Sequence, residues 1–417
     1  MTAVTASDAG SASPTLVHDL DLPELDLEGP AGAGPGSAMR AVRDQGWLGR
    51  TLFGYVVSRH EDVTAVLRDK RWHSAAAKVA EFSGITDEEF LDSRRESILS
   101  SEGETHTRLR RLVGQAFSPR SADRLRPFMR TVISELLAPS LDSGRVEAVT
   151  QLCEPYPIPI ICELLGAPKE DWQSFSRWAG DVLRVFDGNL ERDLPIIKQA
   201  SAELDAYVTT LIERRRSVPA DDLLTDLIAA EEAGDRLSGS ELVMMVQAVI
   251  VGGTDTTRNQ LGCCLALFAQ HPEQWELLAA EPELAPRAVE ECMRYLGAVR
   301  GTGRFASEDI VYRDVLFPAG TFIFPSISVG NRDDGLWDAP DEFDIRREPG
   351  GQHLGFGAGI HYCLGASLAR AELQEALIVL SQSMADLALD GVVEWQPESN
   401  GIWGAAHLPL RFSPRQG

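Results

Sequence analysis

The chain has 417 residues, of which 44% are hydrophobic, and its 39 basic and 63 acidic side chains give a formal net charge of −24. A chain of this length and apolar content can bury a large core as one large or two medium domains. Its strong negative charge argues against nucleic acid and against anionic membranes as partners.

The first part of the chain predicts a mobile arm followed by a strand, helices and an irregular segment. Residues 1–36 are rich in Ala, Gly, Ser, Pro and acidic groups, which predicts a mobile arm. Thr51–Ser58 alternates like a strand, and Glu61–Arg68 has the pattern of a helix. Residues 75–103 show little periodicity and predict a long irregular segment, which in compact proteins often forms a lid. Residues 106–137 are again helical in pattern.

The remainder predicts helices around a few short strands. Helical repeats continue over residues 121–236, and Ser238-Gly-Ser-Glu241 is a capping box that begins a long helix ending near Gln270. A second helix is predicted over residues 285–296, and short strands over residues 305–325. A glycine-rich loop then precedes a helix from about Leu364. The chain is therefore mainly α with a small β-rich part, without the βαβ alternation of a Rossmann-type fold.

The cysteines and the start of the chain bear on its location. Six cysteines are scattered along the chain without Cys-x-x-Cys spacing, which argues against a metal cluster or a disulfide framework. The start lacks the basic and apolar segments of a signal peptide. The most apolar stretch, Leu242 to Val251, is too short to span a membrane. We expect a cytoplasmic protein without a membrane anchor.

The most specific motif is the loop Phe356-Gly-Ala-Gly-Ile-His-Tyr-Cys363-Leu-Gly365. Its glycines allow tight turns and a close approach to a flat ligand. Cys363 precedes a predicted helix, whose amides and dipole stabilise a thiolate. Such a thiolate is a good axial ligand for heme iron. The alternative is a buried cysteine beside a structural turn. A dinucleotide-binding loop is excluded because Tyr362 stands where its last glycine should be.

A second motif, Gly252-Gly-Thr-Asp-Thr-Thr257, lies in the middle of the long predicted helix. Glycines, threonines and an aspartate weaken a helix at this point. The functional interpretation is a helix locally opened over a heme face, where Asp255 relays protons and Thr256 hydrogen-bonds dioxygen. The alternative is a helix crossing made possible by glycine, with a satisfied aspartate.

A third, weaker motif is Glu291-Cys-Met-Arg294, whose first and last residues share a helix face and can pair. Alone, it could equally be a surface ion pair of little value.

The order of these motifs, with His106-Thr-Arg-Leu-Arg110 before them and Asn331-Arg-Asp333 before the cysteine loop, resembles the bacterial soluble cytochrome P-450 family. The resemblance extends from the Tyr55-Val-Val strand to Leu408-Pro-Leu-Arg411. It implies the triangular, mainly helical fold of that family. It also implies a single catalytic domain over residues 37–417, with heme b (iron protoporphyrin IX) between the long central helix and the helix after the cysteine loop.

The resemblance also implies roles for individual residues. Cys363 would be the metal ligand, Asp255 and Thr256 the catalytic acid–alcohol pair, and Glu291 with Arg294 a structural pair behind the heme. The other residues expected to bind the heme cofactor, several of them at its propionates, are His106, Arg110, Arg304, Phe356 and His361. The residues expected to line a mostly apolar substrate pocket are Phe82, Phe90, Val249, Gly252, Val299, Arg300 and Trp403.

Two positions depart from the family pattern. The family usually has Asp-Pro-Pro before its His-Thr-Arg-Leu-Arg segment, but here Ser101-Glu-Gly-Glu-Thr105 precedes His106. The family often has an arginine where this chain has Glu342, so the third partner of the Glu291–Arg294 pair is open, with Arg346 as one candidate.

The resemblance implies a monooxygenase that inserts one atom of O2 into an apolar small molecule by hydroxylation or epoxidation, in secondary or catabolic metabolism. A peroxygenase that uses hydrogen peroxide and a heme sensor without turnover are alternatives, and both are disfavoured because neither needs Asp255 and Thr256. Arg300 could bind a substrate carboxylic acid. It could instead pair with a propionate or with Glu398.

Electrons must come from another protein, because the chain has no flavin, nicotinamide or iron–sulfur motif. A ferredoxin with its ferredoxin reductase is expected, or a flavodoxin. Arg108, Arg111, Arg346 and Arg347 could form a basic patch that attracts an acidic partner, or an ordinary solvated cluster.

Overall fold

The structure is a computed structural model that describes residues 13–25, 37–114, 116–186, 189–232, 237–348, 350–397 and 401–415. The α-helices of these residues are α1 (Ser37–Gln45), α2 (His60–Arg68), α3 (Lys78–Phe82), α4 (Glu88–Glu96), α5 (Gly103–Val113), α6 (Pro119–Leu137), α7 (Pro157–Leu165), α8 (Trp172–Leu183), α9 (Leu190–Ser217), α10 (Leu223–Glu232), α11 (Gly239–Gln270), α12 (Pro272–Ala280), α13 (Ala285–Tyr295), α14 (Ile327–Gly330) and α15 (Ala366–Ser383).

The strands are β1 (Thr15–Leu16), β2 (Leu48–Thr51), β3 (Gly54–Val57), β4 (Trp72–Ser74), β5 (Arg145–Glu147), β6 (Arg304–Ala306), β7 (Ile310–Tyr312), β8 (Val315–Phe317), β9 (Phe322–Pro325), β10 (Met384–Leu389), β11 (Glu394–Trp395), β12 (Ala405–His407) and β13 (Pro409–Pro414). The predicted mainly helical architecture with a small strand-rich part is confirmed.

Helix α11 runs through the main core, as its sequence predicts. The capping box is present: the Glu241 amide donates to Ser238 Oγ at 3.2 Å, and the Ser238 amide donates to Glu241 Oε2 at 2.8 Å. Every residue from Leu261 to Ala269 is buried, and a helix that is apolar all round belongs inside a core. α7, α8 and α15 pack against it.

Helix α15, which follows the cysteine loop, is fixed by charge pairs, including those of the buried Glu375. Glu375 on α15 accepts hydrogen bonds from Arg126 and Arg130 on α6, the first at 2.8 Å. Arg370 on α15 donates to Glu290 on α13 at 2.6 Å. These contacts hold the cysteine loop at a defined distance from α6 and α13.

The five-stranded sheet has the order β2-β3-β9-β6-β4 and carries one wall of the site. The single strand predicted over Thr51–Ser58 is instead a hairpin of β2 and β3, with Leu48 opposite Val57. Only glycine fits at position 54, the first residue of β3, because a Cβ there would lie 2.2 Å from the Phe322 carbonyl oxygen of β9. β6 places Arg304 opposite Ser74 of β4.

The mobile arm predicted for residues 1–36 is wrong for residues 13–25. Thr15 and Leu16 pair in parallel with Val315 and Leu316 of β8, and Val17 is fully buried in the core beside this sheet. Burial of a few apolar side chains offsets the ordering entropy that the local composition disfavours. Residues 1–12 and 26–36 lie outside the described residues.

The irregular segment predicted over residues 75–103 is also wrong, because it contains α3 and α4. Asp87 caps α4 by accepting a hydrogen bond from the Phe90 amide at 3.1 Å. Phe90 and Leu91 then pack into a small apolar cluster with residues that flank the start of α9. Tertiary packing thus supplies the stability that the weak helical pattern did not predict.

Candidate active site

Two glycines give the cysteine loop its shape. Gly357 and Gly359 have φ angles of +73° and +71°, which favour glycine. A Cβ at Gly359 would lie 2.2 Å from the Leu67 carbonyl oxygen, so no larger residue fits. The Cys363 amide donates to the Phe356 carbonyl at 2.8 Å, which closes the loop just before α15. Phe356 itself is buried.

The Cys363 thiol differs from the other five cysteines, since they are buried and Cys363 is partly exposed. Burial raises the pKa of the Cys363 thiol, whereas the Gly365 amide and the guanidiniums of Arg110 and Arg370 act in the opposite direction. The donors therefore favour a thiolate without outweighing burial. A metal cation at the sulfur would remove the proton outright.

Four side chains that are or can become positively charged meet beside this loop. They come from different elements: His106 and Arg110 from α5, Arg304 from β6, and His361 from the cysteine loop. The His106 and His361 rings lie 4.5 Å apart. Arg304 is 5% exposed, and Nη1 donates to neutral acceptors, Thr302 Oγ1 at 3.0 Å and the Gly303 carbonyl at 2.9 Å.

One carboxylate, Glu102, enters this cluster from the segment that departs from the family pattern. Its Oε1 lies 3.0 Å from His361 Nε2 and accepts the Ser74 amide at 2.7 Å. The loop shape there rests on Gly103, which has a φ of +60° just as α5 begins. Sequence reasoning identified the departure but did not predict that Glu102 would face His361.

The positive charge that this cluster buries away from water is larger than the single carboxylate of Glu102 can balance. Burial lowers the pKa of Arg304 to about 10, against the opposing effect of Glu102. Burial lowers the pKa of Arg110 as well. Burial, together with His361 and Arg110, lowers the pKa of His106 to about 4. A site of this kind favours an anionic ligand with two carboxylates, and the propionates of heme fit it.

The glycines of the mid-helix motif have different roles. A Cβ at Gly253 would lie 2.3 Å from Ile161 Cδ1, so this glycine permits the close crossing of α7 and α11. Gly252 is exposed, and a Cβ there would meet no atom within 4 Å. The crossing interpretation therefore holds at Gly253, whereas Gly252 only leaves open space beside α11. The expected local opening is not seen as a break, because α11 is continuous through the motif.

The hydroxyl of Thr256 lies on the partly exposed side of α11. Thr256 Oγ1 donates to the Gly252 carbonyl at 2.9 Å, and Thr254 Oγ1 donates in the same way to the buried Ile250 carbonyl at 2.6 Å. Such bonds to the carbonyl four residues earlier loosen a helix slightly. Thr256 can exchange its partner because Gly252 borders open space.

Asp255 is buried, and its carboxylate contacts Arg258 rather than the partly exposed side of α11 where Thr256 lies. Its Oδ1 lies 2.7 Å from Arg258 Nη2, and Arg258 Nη1 is 3.5 Å from Glu154 Oε1. Burial raises the pKa of Asp255, and Arg258 partly opposes this effect. Asp255 therefore holds a proton more readily than an exposed aspartate does.

A second buried carboxyl, Glu372 on α15, faces α11 and was missed in the sequence. Its Oε2 accepts a hydrogen bond from Thr257 Oγ1 at 3.3 Å, and burial raises its pKa well above 4.5. The only available signal was a glutamate between apolar neighbours, Ala371 and Leu373, on a helix that must bury this face.

The predicted Glu291–Arg294 pair exists and is buried. Arg294 Nε and Nη2 donate to Glu291 at 2.7 and 2.8 Å. The third partner is Arg347, whose Nε donates to Glu291 Oε1 at 3.1 Å. The candidate Arg346 was wrong, because it pairs with Glu281 at the surface.

Three residues predicted to line the substrate pocket have different surroundings. Phe82 is 52% exposed and packs edge-on against Phe322, so it does not line an enclosed pocket. Trp403 is 1% exposed and stacks on Trp395 with ring centroids 4.5 Å apart. Arg300 lies over the Trp403 ring, with its guanidinium carbon 5.3 Å from the ring centroid.

The expected basic patch is largely paired within the chain. Arg108 donates to Glu241, and Arg347 to Glu291. With Arg346 bound to Glu281, Arg111 is the exposed member of the set without an ion pair among the described residues.

Known proteins share both the fold and the sequence. A family model for cytochrome P450 matches residues 169–383. The chain is 33% identical to luteothin monooxygenase of Streptomyces thioluteus over 94% of this chain and 96% of that protein. It is 37% identical to mycinamicin IV hydroxylase/epoxidase of Micromonospora griseorubida over 85% of this chain and 89% of that protein. The structure of a myxobacterial cytochrome P450 in complex with myristic acid matches with a TM-score of 0.78 and 32% identity, covering 90% and 96% of the two chains.

The fold and these matches define the class as heme-thiolate monooxygenases, which are oxidoreductases. The chain belongs to the cytochrome P450 family, as its motifs predicted, and the predicted family fold is confirmed. No helix within the described residues is both long and apolar enough to cross a bilayer.

Proposed function

We propose that this enzyme binds heme b between α11 and the cysteine loop and hydroxylates or epoxidises an apolar small molecule. The observation that carries the proposal is the cluster of His106, Arg110, Arg304 and His361 around one carboxylate, beside the partly exposed thiol of Cys363. The cations would hold the two propionates, and Cys363 would be the metal ligand. Phe356, whose carbonyl anchors the Cys363 amide, would pack near the sulfur.

Bound heme would supply the activation of dioxygen and the transfer of one oxygen atom to a C–H bond or an alkene. The chain supplies the proton path. Asp255 would hold the proton, since burial raises its pKa, and its contact with Arg258, which also faces Glu154, would orient the carboxyl. Thr256 would pass the proton on to the open side of α11, next to Gly252.

A chain of contacts holds the loop in place. Arg294 Nη1 donates to the Asn331 carbonyl at 3.2 Å, and Asn331 Oδ1 accepts the Leu354 amide at 2.7 Å. The Leu354 carbonyl in turn accepts the Gly357 amide at 2.7 Å. Glu291 and Arg294 would therefore act as positioning residues that fix the cysteine loop from behind.

The substrate would enter above the open face of α11, bordered by Val249, Gly252, Phe90 and Val299. Electrons would come from a ferredoxin with its reductase, or from a flavodoxin, since cytochromes P450 use redox partners. Arg111 is the member of the proposed patch best placed to attract an acidic partner. A role in secondary metabolism and a cytoplasmic location complete the proposal.

Replacing Arg304 by Leu tests whether the cluster holds heme. The variant should lose heme to a competing apoglobin about 10- to 100-fold faster, the range for lost hydrogen bonds to a charged group. Arg71→Leu is the matched control, since Arg71 lies near the same strand edge but pairs with Asp69 at the surface. Equal rates of heme loss in Arg304→Leu and wild type would contradict the proposed propionate site.

A further inference from the structure

Two consecutive arginines on α4 have opposite surroundings. Arg95 is exposed and surrounded by carboxylates, with Glu81 and Asp92 at 2.8 Å. Arg94 is less exposed, and its Nε is closed off from solvent without a hydrogen-bond partner. No carboxylate of the described residues pairs with Arg94, and burial alone lowers its pKa to about 10.

Arg94 lies on the inward side of α4. It follows Phe90 by four residues and Leu91 by three, so the three side chains share one helix face. Phe90 and Leu91 are buried in a cluster with Val185 and Ile197. The head group of Arg94 is thus turned toward the interior of this region of the protein.

A series of contacts links α4 to the segment that carries Val299. The cluster of Phe90 and Leu91 includes the partly buried Phe186. The Phe186 carbonyl accepts the Gly401 amide at 3.2 Å, and the next residue, Ile402, pairs with Val299. Arg94 therefore lies on one of the linked segments that also carry Phe90 and Val299, which we propose to border the substrate.

A guanidinium withdrawn from water without a counter-charge destabilises a protein, so a sequence retains one where a ligand supplies the charge. We assign the heme propionates to the other cluster, that of His106, Arg110, Arg304 and His361. Glu102 acts on the pKa values of both His106 and Arg304, whereas no charged side chain acts on Arg94. Arg94 therefore lies apart from the proposed propionate site.

We propose that Arg94 binds the carboxylate of the substrate, which is an apolar carboxylic acid. The inference rests on the proposed monooxygenase function and names its substrate class. The planar fork of arginine binds a carboxylate through two parallel hydrogen bonds. The apolar side chains of Phe90 and Leu91 beside it suit the hydrocarbon part. This assignment differs from the sequence-based hypothesis for Arg300, whose guanidinium is occupied over Trp403.

The test measures spectral binding of myristic acid, a 4-alkylbenzoic acid and their methyl esters to the heme-loaded enzyme. The wild type should bind at least one acid about 10- to 100-fold more tightly than its ester. Arg94→Gln and Arg94→Met should lose this preference, while Arg95→Gln and Arg300→Ala should keep it. Arg94→Met should also raise the melting temperature of the substrate-free enzyme, because it removes an unpaired buried charge.

Three results would overturn the inference: equal binding of acid and ester by the wild type, an unchanged preference in Arg94→Gln, or loss of the preference in Arg300→Ala alone. The last result would restore Arg300 as the anchor. Failure of the proposed function is distinguishable, because a wild type that takes up no heme gives no binding spectrum with any ligand.

Discussion

Arg294 behind the cysteine loop and Arg94 on α4 are both withdrawn from water, yet their surroundings differ. Arg294 makes two hydrogen bonds to Glu291 and further ones to the carbonyls of Pro340 and Glu342, at 2.7 and 3.0 Å. Arg94 has no partner among the described residues. The difference teaches that the network around Arg294 behind the cysteine loop is electrostatically complete in the protein alone, whereas Arg94 is left for a ligand to complete.

The largest expected effect is a loss of turnover on changing Asp255 or Thr256 of α11. Asp255→Asn should slow turnover by about 10²- to 10⁴-fold, the contribution of positioned proton transfer. Thr256→Ala should leave heme and substrate binding intact but divert electrons into hydrogen peroxide. Product and peroxide formed per reductant consumed measure both effects.

Thr254→Ala is the matched control for Thr256, since Thr254 makes the same bond to a carbonyl four residues earlier but is buried. It should stay coupled. Normal coupling in Thr256→Ala, with normal turnover in Asp255→Asn, would remove the oxygen-activation role and revive the peroxygenase or sensor interpretation.

The network of Glu291, Arg294 and Arg347 behind the cysteine loop is complete, so breaking it should destabilise the protein severely. Arg294→Ala leaves Glu291 buried with only Arg347 and should lower the free energy of unfolding by about 3–5 kcal/mol. Urea unfolding followed by heme absorbance measures this change. Arg287→Ala on the same helix, which loses an exposed pair with Glu348, should cost about 0–1 kcal/mol. Similar losses in the two variants would show that the network is not structural.

Glu372 gives the smallest and most pH-dependent effect. Burial raises the pKa of Glu372 in the folded protein well above 4.5. Between pH 4.5 and this raised pKa, the folded state therefore binds more protons than the unfolded state. The stability it contributes is therefore present at low pH and is lost as pH rises through that window, by at most about 1.4 kcal/mol per pH unit.

Glu372→Gln cannot titrate, so its stability advantage over the wild type should grow as pH rises from 4.5. Thermal melting of both proteins at several pH values measures this difference. A difference that stays constant with pH would contradict the raised pKa of Glu372.

The sequence predicted the parts of the site that local geometry imposes. The glycines around Cys363, the capping box at Ser238 and the spacing of Glu291 and Arg294 each create a structural demand within a few residues. Their positions could therefore be predicted without the fold.

The parts that depend on long-range packing were missed. Glu102 meets His361, Glu372 meets Thr257, and Arg347 rather than Arg346 meets Glu291. No local pattern encodes such partners, since a one-residue choice between two adjacent arginines depends on how the loop folds back on α13. The same reasoning explains why Arg94 was not singled out, because its lack of a partner is visible only in three dimensions.

The most direct test of the central claim is the absorption spectrum of the ferrous carbonyl complex. With Cys363 as the iron ligand, the wild type should show the strongly red-shifted band of thiolate-ligated heme, and Cys363→Ala should lose it. Cys292→Ala, which removes a fully buried cysteine elsewhere, should keep the band. A wild-type spectrum like that of a histidine-ligated globin, or a red-shifted band that persists in Cys363→Ala, would contradict the account.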